Sequence, residues 1–424
     1  MPNIKKILQI EKEKISPDKN LINEINNNLK EVVLKIKNEI KKTKIKAEVF
    51  IGGSFAKGTI IKKDKYEIDL FLRFDKKYRE KLSEITEQIL KKIRLEYKKL
   101  HGSRDYFQIN TENNILIEII PVVKISRPKE AENITDLSYF HVNYVKKHLN
   151  KKIIDEIKLA KTFTHAQNCY GAESYIKGFS GYALELLMVH YKSFEKFLHA
   201  CMKTKEKIFI FNKKDFKNKQ EILLNLNQSK LESPIVLIDP TFKERNVLAA
   251  LSQETFEKFK TAGKKFLKNP SEKFFEQVRK DFNKIIEKAK KNKKEFIRVK
   301  IETDKQEGDV AGSKLLKFYN FLLKETEKYF KIKSCDFIYN EDKTAEFYIV
   351  IEKNKDILIR GPPLKLEKHV LDFRKKHKNA IVKKGILYSK EKNSKSLKEF
   401  LKNWRSKNER KLEEMYIKDF IILN

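Results

Sequence analysis

The stretch GGSFAKGTIIKKDKYEIDLFLRF, residues 52–74, decides the fold of the first part of the chain. It follows AEVFI, residues 47–51, whose composition predicts a strand that runs into a glycine turn. Two adjacent glycines, ending at Gly53, allow a sharp turn and a close approach of the backbone to a ligand. The amides that follow, the Ser54 hydroxyl and the Lys57 ammonium can cradle a phosphate group, whereas glycines at a strand end, taken alone, more often form an ordinary turn.

Two carboxylates, Glu67 and Asp69, lie on the same face of the strand predicted for EIDLFLRF, because side chains two positions apart point the same way. Such a pair repels itself without a cation, and Mg²⁺ prefers oxygen ligands. An isolated acidic pair is also common on solvent-exposed strands, so the prediction depends on a third carboxylate. Glu118 lies within the apolar strand ILIEIIPVV, residues 115–123, where an unpaired charge is costly. These three residues are the predicted catalytic and metal-binding residues, typical of two-metal-ion phosphoryl or nucleotidyl transfer.

The composition favours a nucleic-acid partner. The chain has 424 residues, with 94 Lys and Arg against 59 Asp and Glu, a formal net charge of +35. Such a charge attracts polyanions, although the lysines are spread along the whole chain. Three cysteines are too few and too far apart for a disulfide framework or a structural zinc site. The N-terminus does not read as a signal peptide and no apolar stretch is long enough to cross a membrane, so we expect a soluble, cytoplasmic protein.

The pattern along the chain predicts an α+β multidomain protein. Residues 1–150 combine helices with a mixed sheet, and residues 151–272 are mainly helical, with loops near Tyr170–Ser180 and Ser233–Asn246. Residues 273–424 alternate strands with basic helices. Aromatic residues within those helices either stack on bases or fill a small core, and the core is slightly favoured.

The glycine-serine turn, the acidic pair and the later carboxylate resemble the signature of the DNA polymerase β nucleotidyltransferase superfamily. Longer stretches are similar to the archaeal class I CCA-adding enzyme, or tRNA nucleotidyltransferase. They are FHVNYV (140–145), EIKLAKTFTHAQNCYGAESYIKGFSGYALELLMVHYKSF (156–194), VLIDPTFKERNVLAALS (236–252) and GPPLKLEKHVLDFRKKH (361–377). The resemblance runs from about residue 1 and thins after about residue 300.

The resemblance implies further nucleotide-binding residues. It places Ser54 and Lys57 at the triphosphate. It places His141, Lys161 and Tyr170 near the phosphates and sugar, and Arg245 at the base. Taken alone, His141, Lys161, Tyr170 and Arg245 are each better explained by an ordinary surface or core role. Three positions depart from the family pattern: Lys57 replaces the more usual Arg, Glu118 replaces a frequent Asp, and Val142 follows His141 where some members have a second His.

The implied protein has a nucleotidyltransferase head (1–150), a helical central domain that completes the nucleotide pocket (151–272) and a C-terminal tRNA-binding region (273–424). The implied reaction is template-independent addition of C, C and A to the 3′ end of tRNA from CTP and ATP, with Mg²⁺ and release of pyrophosphate. The tRNA would be held by its acceptor stem and T-arm, and a homodimer is left open. Two alternatives stay open: a poly(A)-type polymerase acting on other RNA ends, and a catalytically silent tRNA-binding protein.

Overall fold

A computed structural model describes residues 4–111, 114–277, 281–354, 356–392 and 396–423. The chain divides into two compact units, residues 1–278 and 279–424. The three-domain division predicted above stays a prediction. The pattern of SEKFFEQVRKDFNKIIEKAKKNKKEFIRVKIE, residues 271–302, predicts a helix followed by a strand, and residues 278–280 of this stretch lie outside the described residues. Among the described helices, none is long and apolar enough to cross a membrane.

The first unit begins with two helices and a five-stranded mixed sheet of strand order β1-β2-β5-β4-β3. Strands β2 and β5 pair in parallel, and the other pairs are antiparallel. Helix α2 starts at the side chain of Asp18, which accepts a hydrogen bond from the Leu21 amide, 2.8 Å. The elements are α1 Ile4–Lys14, α2 Lys19–Thr43, β1 Ala47–Ile51, α3 Gly53–Ala56, β2 Tyr66–Phe74, α4 Leu82–Lys92, β3 Lys98–His101, β4 Asp105–Asn110 and β5 Ile115–Val123.

Apolar and polar side chains alternate at the start of β2, and the apolar ones form the core under the sheet. In β2, Tyr66, Ile68 and Leu70 are buried, whereas Glu67 is exposed and Asp69 is half-buried. The buried residues pack with one face of α2 and with α4 in a single apolar cluster. The mixed sheet predicted from the sequence is confirmed. The pattern of KLSEITEQILKKIRLEYKK, residues 81–99, predicts one helix, but α4 ends at Lys92 and the chain turns into β3.

The rest of the first unit is mainly helical, with a second apolar core around α6, α7, α8 and α11. The segment Ser233–Asn246, predicted as a loop, instead contains the strands β7 and β8, which pair with each other, and β7 also pairs with β6. All five residues of β7 are buried, and such short apolar runs are ambiguous in a sequence. The elements are α5 Ser138–His148, α6 Lys151–Ala166, α7 Gly181–Tyr191, α8 Phe194–Lys203, β6 Ile208–Ile210, α9 Lys219–Asn225, α10 Gln228–Leu231, β7 Ile235–Asp239, β8 Phe242–Asn246 and α11 Gln253–Lys268.

The second unit contains a four-stranded sheet of order β10-β11-β9-β15 and a three-stranded sheet of order β12-β14-β13. Trp404 and Phe400 of α15 are buried in its core, so the core role is confirmed for Trp404. Phe373 of α14 is half-buried and lies beside Gly361. The elements are α12 Phe282–Lys291, β9 Glu295–Glu302, α13 Asp309–Glu327, β10 Phe330–Tyr339, β11 Thr344–Lys353, β12 Asp356–Pro363, α14 Glu367–Lys376, β13 Ala380–Lys383, β14 Ile386–Lys392, α15 Leu397–Lys407, α16 Glu409–Glu414 and β15 Asp419–Ile422.

Candidate active site

The glycine turn lies directly against the Asp69 side chain. Gly53 has φ of +62°, and a Cβ atom added to it would lie 1.7 Å from Oδ2 of Asp69. The amide of Gly52 donates a hydrogen bond to the Asp69 carbonyl oxygen, 2.9 Å. Only glycine therefore fits at position 53, where it combines a left-handed backbone with close contact to a carboxylate. The turn and the acidic strand, separate in the sequence, form one site.

The parallel pairing of β2 with β5 brings the third carboxylate beside the acidic pair. Asp69 is the direct register partner of Glu118, and Glu67 is the partner of Leu116. On its other side, Glu118 faces Gln108 of β4, whose side-chain amide donates a hydrogen bond to its Oε1, 2.8 Å. The sequence had predicted that a charged Glu118 needs a partner, and Gln108 is the partner that it missed.

These carboxylates are held where negative charge is unfavourable. Burial raises the pKa of Glu118 to about 7, and the neighbouring Asp69 and Glu67 add to that rise. Burial also raises the pKa of Asp69, while the positive charge of Lys57 offsets part of the rise. Both shifts indicate crowded carboxylates that an added cation would stabilise.

The donor set fits a hard divalent cation, although the side chains do not form a ready-made metal site. Among the described residues, no group of three His, Cys, Asp or Glu side chains lies close enough together to hold a metal ion. All the available donors are carboxylate oxygens on adjacent strands, the ligand type of Mg²⁺.

A buried network joins the two lysines that the sequence had assigned to the phosphates. Glu185 of α7 accepts hydrogen bonds from Lys57 (2.5 Å) and Lys161 (2.9 Å). The Thr59 hydroxyl donates to the same carboxylate, 2.7 Å, and accepts a bond from Lys161, 3.0 Å. Burial alone would raise the pKa of Glu185, but the two ammonium groups outweigh it and hold that pKa at about 2. Burial lowers the pKa of Lys161, and Glu185 opposes the change.

A second buried carboxylate, Asp239 at the end of β7, joins two more predicted residues. Its Oδ2 accepts a hydrogen bond from Nη1 of Arg245, 2.9 Å, and lies 3.0 Å from Nε2 of His141. Tyr182 donates to Oδ1, 3.1 Å, and stacks on the His141 ring with centroids 4.2 Å apart. Burial would raise the pKa of Asp239, but the hydrogen bonds and the nearby positive charge hold it well below its usual range. The hydrogen bond to Asp239 therefore fixes the orientation of the Arg245 guanidinium group through one of its nitrogens, Nη1.

Tyr170 lies in the loop between α6 and α7, where its ring stacks on His165 with centroids 3.7 Å apart. Its hydroxyl approaches the start of α7, since a Cβ atom added to Gly181 would lie 2.7 Å from it. Burial raises the pKa of the Tyr170 hydroxyl, and the negative charges of Glu185 and Asp69 act in the same direction. The Tyr170 side chain therefore lies within electrostatic reach of both the carboxylates and the lysine network.

The structure thus groups the predicted residues into neighbouring clusters of the first unit. Sequence reasoning missed Glu185 and Asp239, the two buried acids that hold four of the predicted side chains. A signal was present for Glu185, because it is the only acid in the apolar helix GYALELLMVHY, residues 181–191. For Asp239 the sequence offers only its place in the motif VLIDP, residues 236–240.

Comparison with known proteins decides the family. A family model described as tRNA nucleotidyltransferase, second domain, matches residues 155–276. Another, described as Second Messenger Oligonucleotide or Dinucleotide Synthetase domain, matches residues 1–139. A CCA-adding enzyme of Thermoplasma volcanium is 31% identical over 338 residues, which cover 78% of this chain and 72% of that relative. The chain belongs to the CCA-adding enzyme family.

The similarity to other members of the CCA-adding enzyme family is stronger over a shorter region. A CCA-adding enzyme of Nanoarchaeum equitans is 46% identical over 218 residues, or 51% of this chain, and the match spans about half of that relative, 54%. A solved cytoplasmic RNA terminal U-transferase is similar in fold, with a TM-score of 0.50 at 14% identity, over 65% of this chain and 98% of its own. The nucleotidyltransferase fold expected from the sequence is confirmed.

Proposed function

We propose that this protein adds C, C and A to the 3′ end of tRNA from CTP and ATP, without a template, and releases pyrophosphate. One observation supports this most: a carboxylate, Asp69, lies against a glycine turn and within reach of the charges of Lys57 and Lys161. The family supplies the substrate, since its named members are CCA-adding enzymes. In the reaction, the tRNA 3′-hydroxyl oxygen bonds to the α-phosphorus of the nucleotide and its proton passes to solvent. The bond between the α-phosphorus and the oxygen of the β-phosphate breaks, which releases pyrophosphate.

The residues that would hold the metal are Glu67, Asp69 and Glu118, and the metal proposed is Mg²⁺. When bound there, a divalent cation supplies positive charge that makes the hydroxyl more acidic and neutralises the triphosphate. The protein's own contribution is to hold the carboxylates: the Gly52 amide and the Gly53 backbone fix Asp69. Positioning and electrostatics then carry the catalysis, with no covalent intermediate on the protein.

The nucleotide is proposed to lie between the lysine network around Glu185 and the cluster around Asp239. Gly53, Ser54 and Lys57 would contact the triphosphate, and the Ser54 hydroxyl makes no hydrogen bond within the described parts of the chain. Lys161 would add positive charge to the same group from the buried network described above.

The second cluster would select the base. Arg245, held by Asp239, keeps guanidinium donors that can reach a base edge. His141 and Tyr170 would bound the sugar and phosphates, since each is fixed by ring stacking, on Tyr182 and His165 respectively. A site that reads the base separately from the triphosphate suits an enzyme that takes both CTP and ATP.

The tRNA is the proposed macromolecular partner. The net charge of +35 favours a polyanion, and the exposed faces of α14 and α15 carry lysines and arginines. We propose that residues 273–424 contact the acceptor stem and T-arm by shape and charge. The proposed location is the cytoplasm, where tRNA, CTP and ATP are found together. A homodimer stays a prediction, which light scattering would test.

The function is tested by incorporation of labelled CTP into a tRNA that lacks its 3′ CCA, with Mg²⁺ or with chelator. Asp69→Asn should abolish incorporation while tRNA affinity changes little. Asp64→Asn is the matched control, because Asp64 is an exposed carboxylate five positions earlier in the same segment and should leave incorporation unchanged. Incorporation by Asp69→Asn at the rate of the control would contradict the proposal. Long homopolymers would favour the polymerase alternative, and binding without incorporation would favour the silent binder.

A further inference from the structure

Glu185 is the acid on which the lysine network depends. It lies in the middle of α7, between Leu184 and Leu186, and only 1% of it is exposed. A carboxylate in such a place is costly unless every oxygen is partnered. Here Oε2 accepts from Lys57, and Oε1 accepts from Lys161 and from Thr59. Glu185 is therefore ionised, and both of its carboxylate oxygens accept hydrogen bonds from residues of the candidate site.

A count of hydrogen-bond donors separates the roles of the two lysines. The Lys161 ammonium has three N–H groups and makes three bonds, to Glu185, to the Thr59 hydroxyl and to the Thr59 carbonyl oxygen. Within the described part of the chain, the Lys57 ammonium bonds to Glu185 alone. Lys57 thus retains two donors for a ligand, whereas Lys161 would have to give up an existing bond.

The positive charges of this lysine network act on the predicted metal-binding carboxylate Asp69. The positive charges of Lys57 and Lys161 both stabilise the ionised form of Asp69, and that of Lys57 has the larger effect. Two buried ammonium groups would repel each other and turn away without an acid to hold them. Glu185 holds both within hydrogen-bond distance of a single carboxylate, on two different elements, the turn after α3 and the helix α6.

We propose that Glu185 is a positioning residue for the incoming nucleotide: together with Thr59 it holds the Lys57 and Lys161 ammonium groups near Asp69, so that Lys57 offers its free donors to the triphosphate. This inference rests on the proposed function and specifies which part of the nucleotide the network serves. Because CTP and ATP share the triphosphate, the network acts on both nucleotides alike. It leaves the choice of base to the Asp239 cluster.

The test compares Glu185→Gln with a control that removes an equally buried acid from elsewhere in the unit. Glu156 of α6 is 5% exposed, bonds to Lys12 (2.8 Å) and accepts from the Phe194 amide (2.7 Å). Glu156→Gln should lower thermal stability without moving the KM for either nucleotide. Glu185→Gln should raise the KM for CTP and for ATP in parallel, by about tenfold or more, with the tRNA affinity unchanged. Glu185→Asp, which keeps the charge, should recover part of the loss.

A second variant keeps the inference testable if Glu185→Gln fails to fold. Thr59→Val removes the hydroxyl that bonds to both Glu185 and Lys161, but leaves all three charges in place. It should raise both KM values in the same direction by a smaller factor. Unchanged KM values in a folded Glu185 or Thr59 variant would overturn the positioning role, as would a rise for only one nucleotide.

The outcome is separable from that of the proposed function. Direct binding of CTP in the presence of Mg²⁺ can be measured without tRNA, and Glu185→Gln should weaken it by a similar factor. If the wild-type protein binds CTP but does not extend a CCA-less tRNA, the proposed function fails while the binding comparison still tests Glu185. If the wild-type protein extends tRNA and Glu185→Gln binds CTP normally, the function holds and the inference fails.

Discussion

Replacing Gly53 by alanine should inactivate the protein by displacing a carboxylate. The new Cβ atom would lie 1.7 Å from Oδ2 and 2.7 Å from Cγ of Asp69. Since non-bonded heavy atoms approach no closer than about 3 Å, the carboxylate must retreat by more than about 1 Å. A displacement of that size at a catalytic group costs about 100-fold in rate. The substitution also places a side chain at φ of +62°, which costs about 1–2 kcal/mol of stability.

The variant Gly58→Ala separates the effect of backbone strain from the effect of displacing the Asp69 carboxylate. Gly58 has φ of +67°, almost the same as Gly53, but an added Cβ atom would meet nothing within 4 Å. Both variants should therefore lose about 2–8 °C in melting temperature from backbone strain. Only Gly53→Ala should also lose about 100-fold in the single-turnover rate of CTP incorporation. If the two variants incorporate CTP at rates within about threefold of each other, the contact between Gly53 and Asp69 does not position the carboxylate.

Three further predictions follow from the buried acids. Because the pKa of Glu118 is raised to about 7, protons compete with the cation for its carboxylate. The apparent affinity for Mg²⁺, measured by titrating Mg²⁺ in CTP incorporation, should therefore increase between about pH 6 and pH 8. An affinity that does not change with pH would count against a ligand role for Glu118. Asp239→Asn should change the KM values for CTP and ATP unequally, since it frees Arg245; equal changes would make Asp239 merely structural. The two ammonium groups lower the pKa of Glu185, so its contribution to stability is present above about pH 4.5 and is lost as pH falls further. Urea unfolding at decreasing pH should therefore show a smaller loss for Glu185→Gln than for the wild-type protein.

The sequence was sufficient for the parts of the site that follow a local rule. Alternation along a strand predicted that Glu67 and Asp69 share a face, and the cost of a lone buried charge singled out Glu118. Two adjacent glycines predicted a close approach, which the structure places between Gly53 and Asp69. Local spacing could not specify the register of β2 against β5, which makes Asp69 the neighbour of Glu118, because register depends on strands about 50 residues apart.

The groups that the sequence did not reveal are those that act through distant partners. Glu185 was visible as a single acid in an apolar helix, the same signal that identified Glu118, but its partner Lys57 is 128 positions away in the chain. Asp239 lies next to Pro240 at the end of a short buried strand that was read as part of a loop. Its link to His141 spans two elements that no periodicity connects.

The central claim is tested most directly by the order and number of nucleotides added to tRNAs with defined 3′ ends. With a tRNA that lacks CCA, CTP alone should give a product two nucleotides longer, and CTP with ATP a product three nucleotides longer that is not extended further. A tRNA that already ends in CC should accept a single A from ATP. Continued extension by either nucleotide, or equal use of RNAs that are not tRNA, would contradict the account.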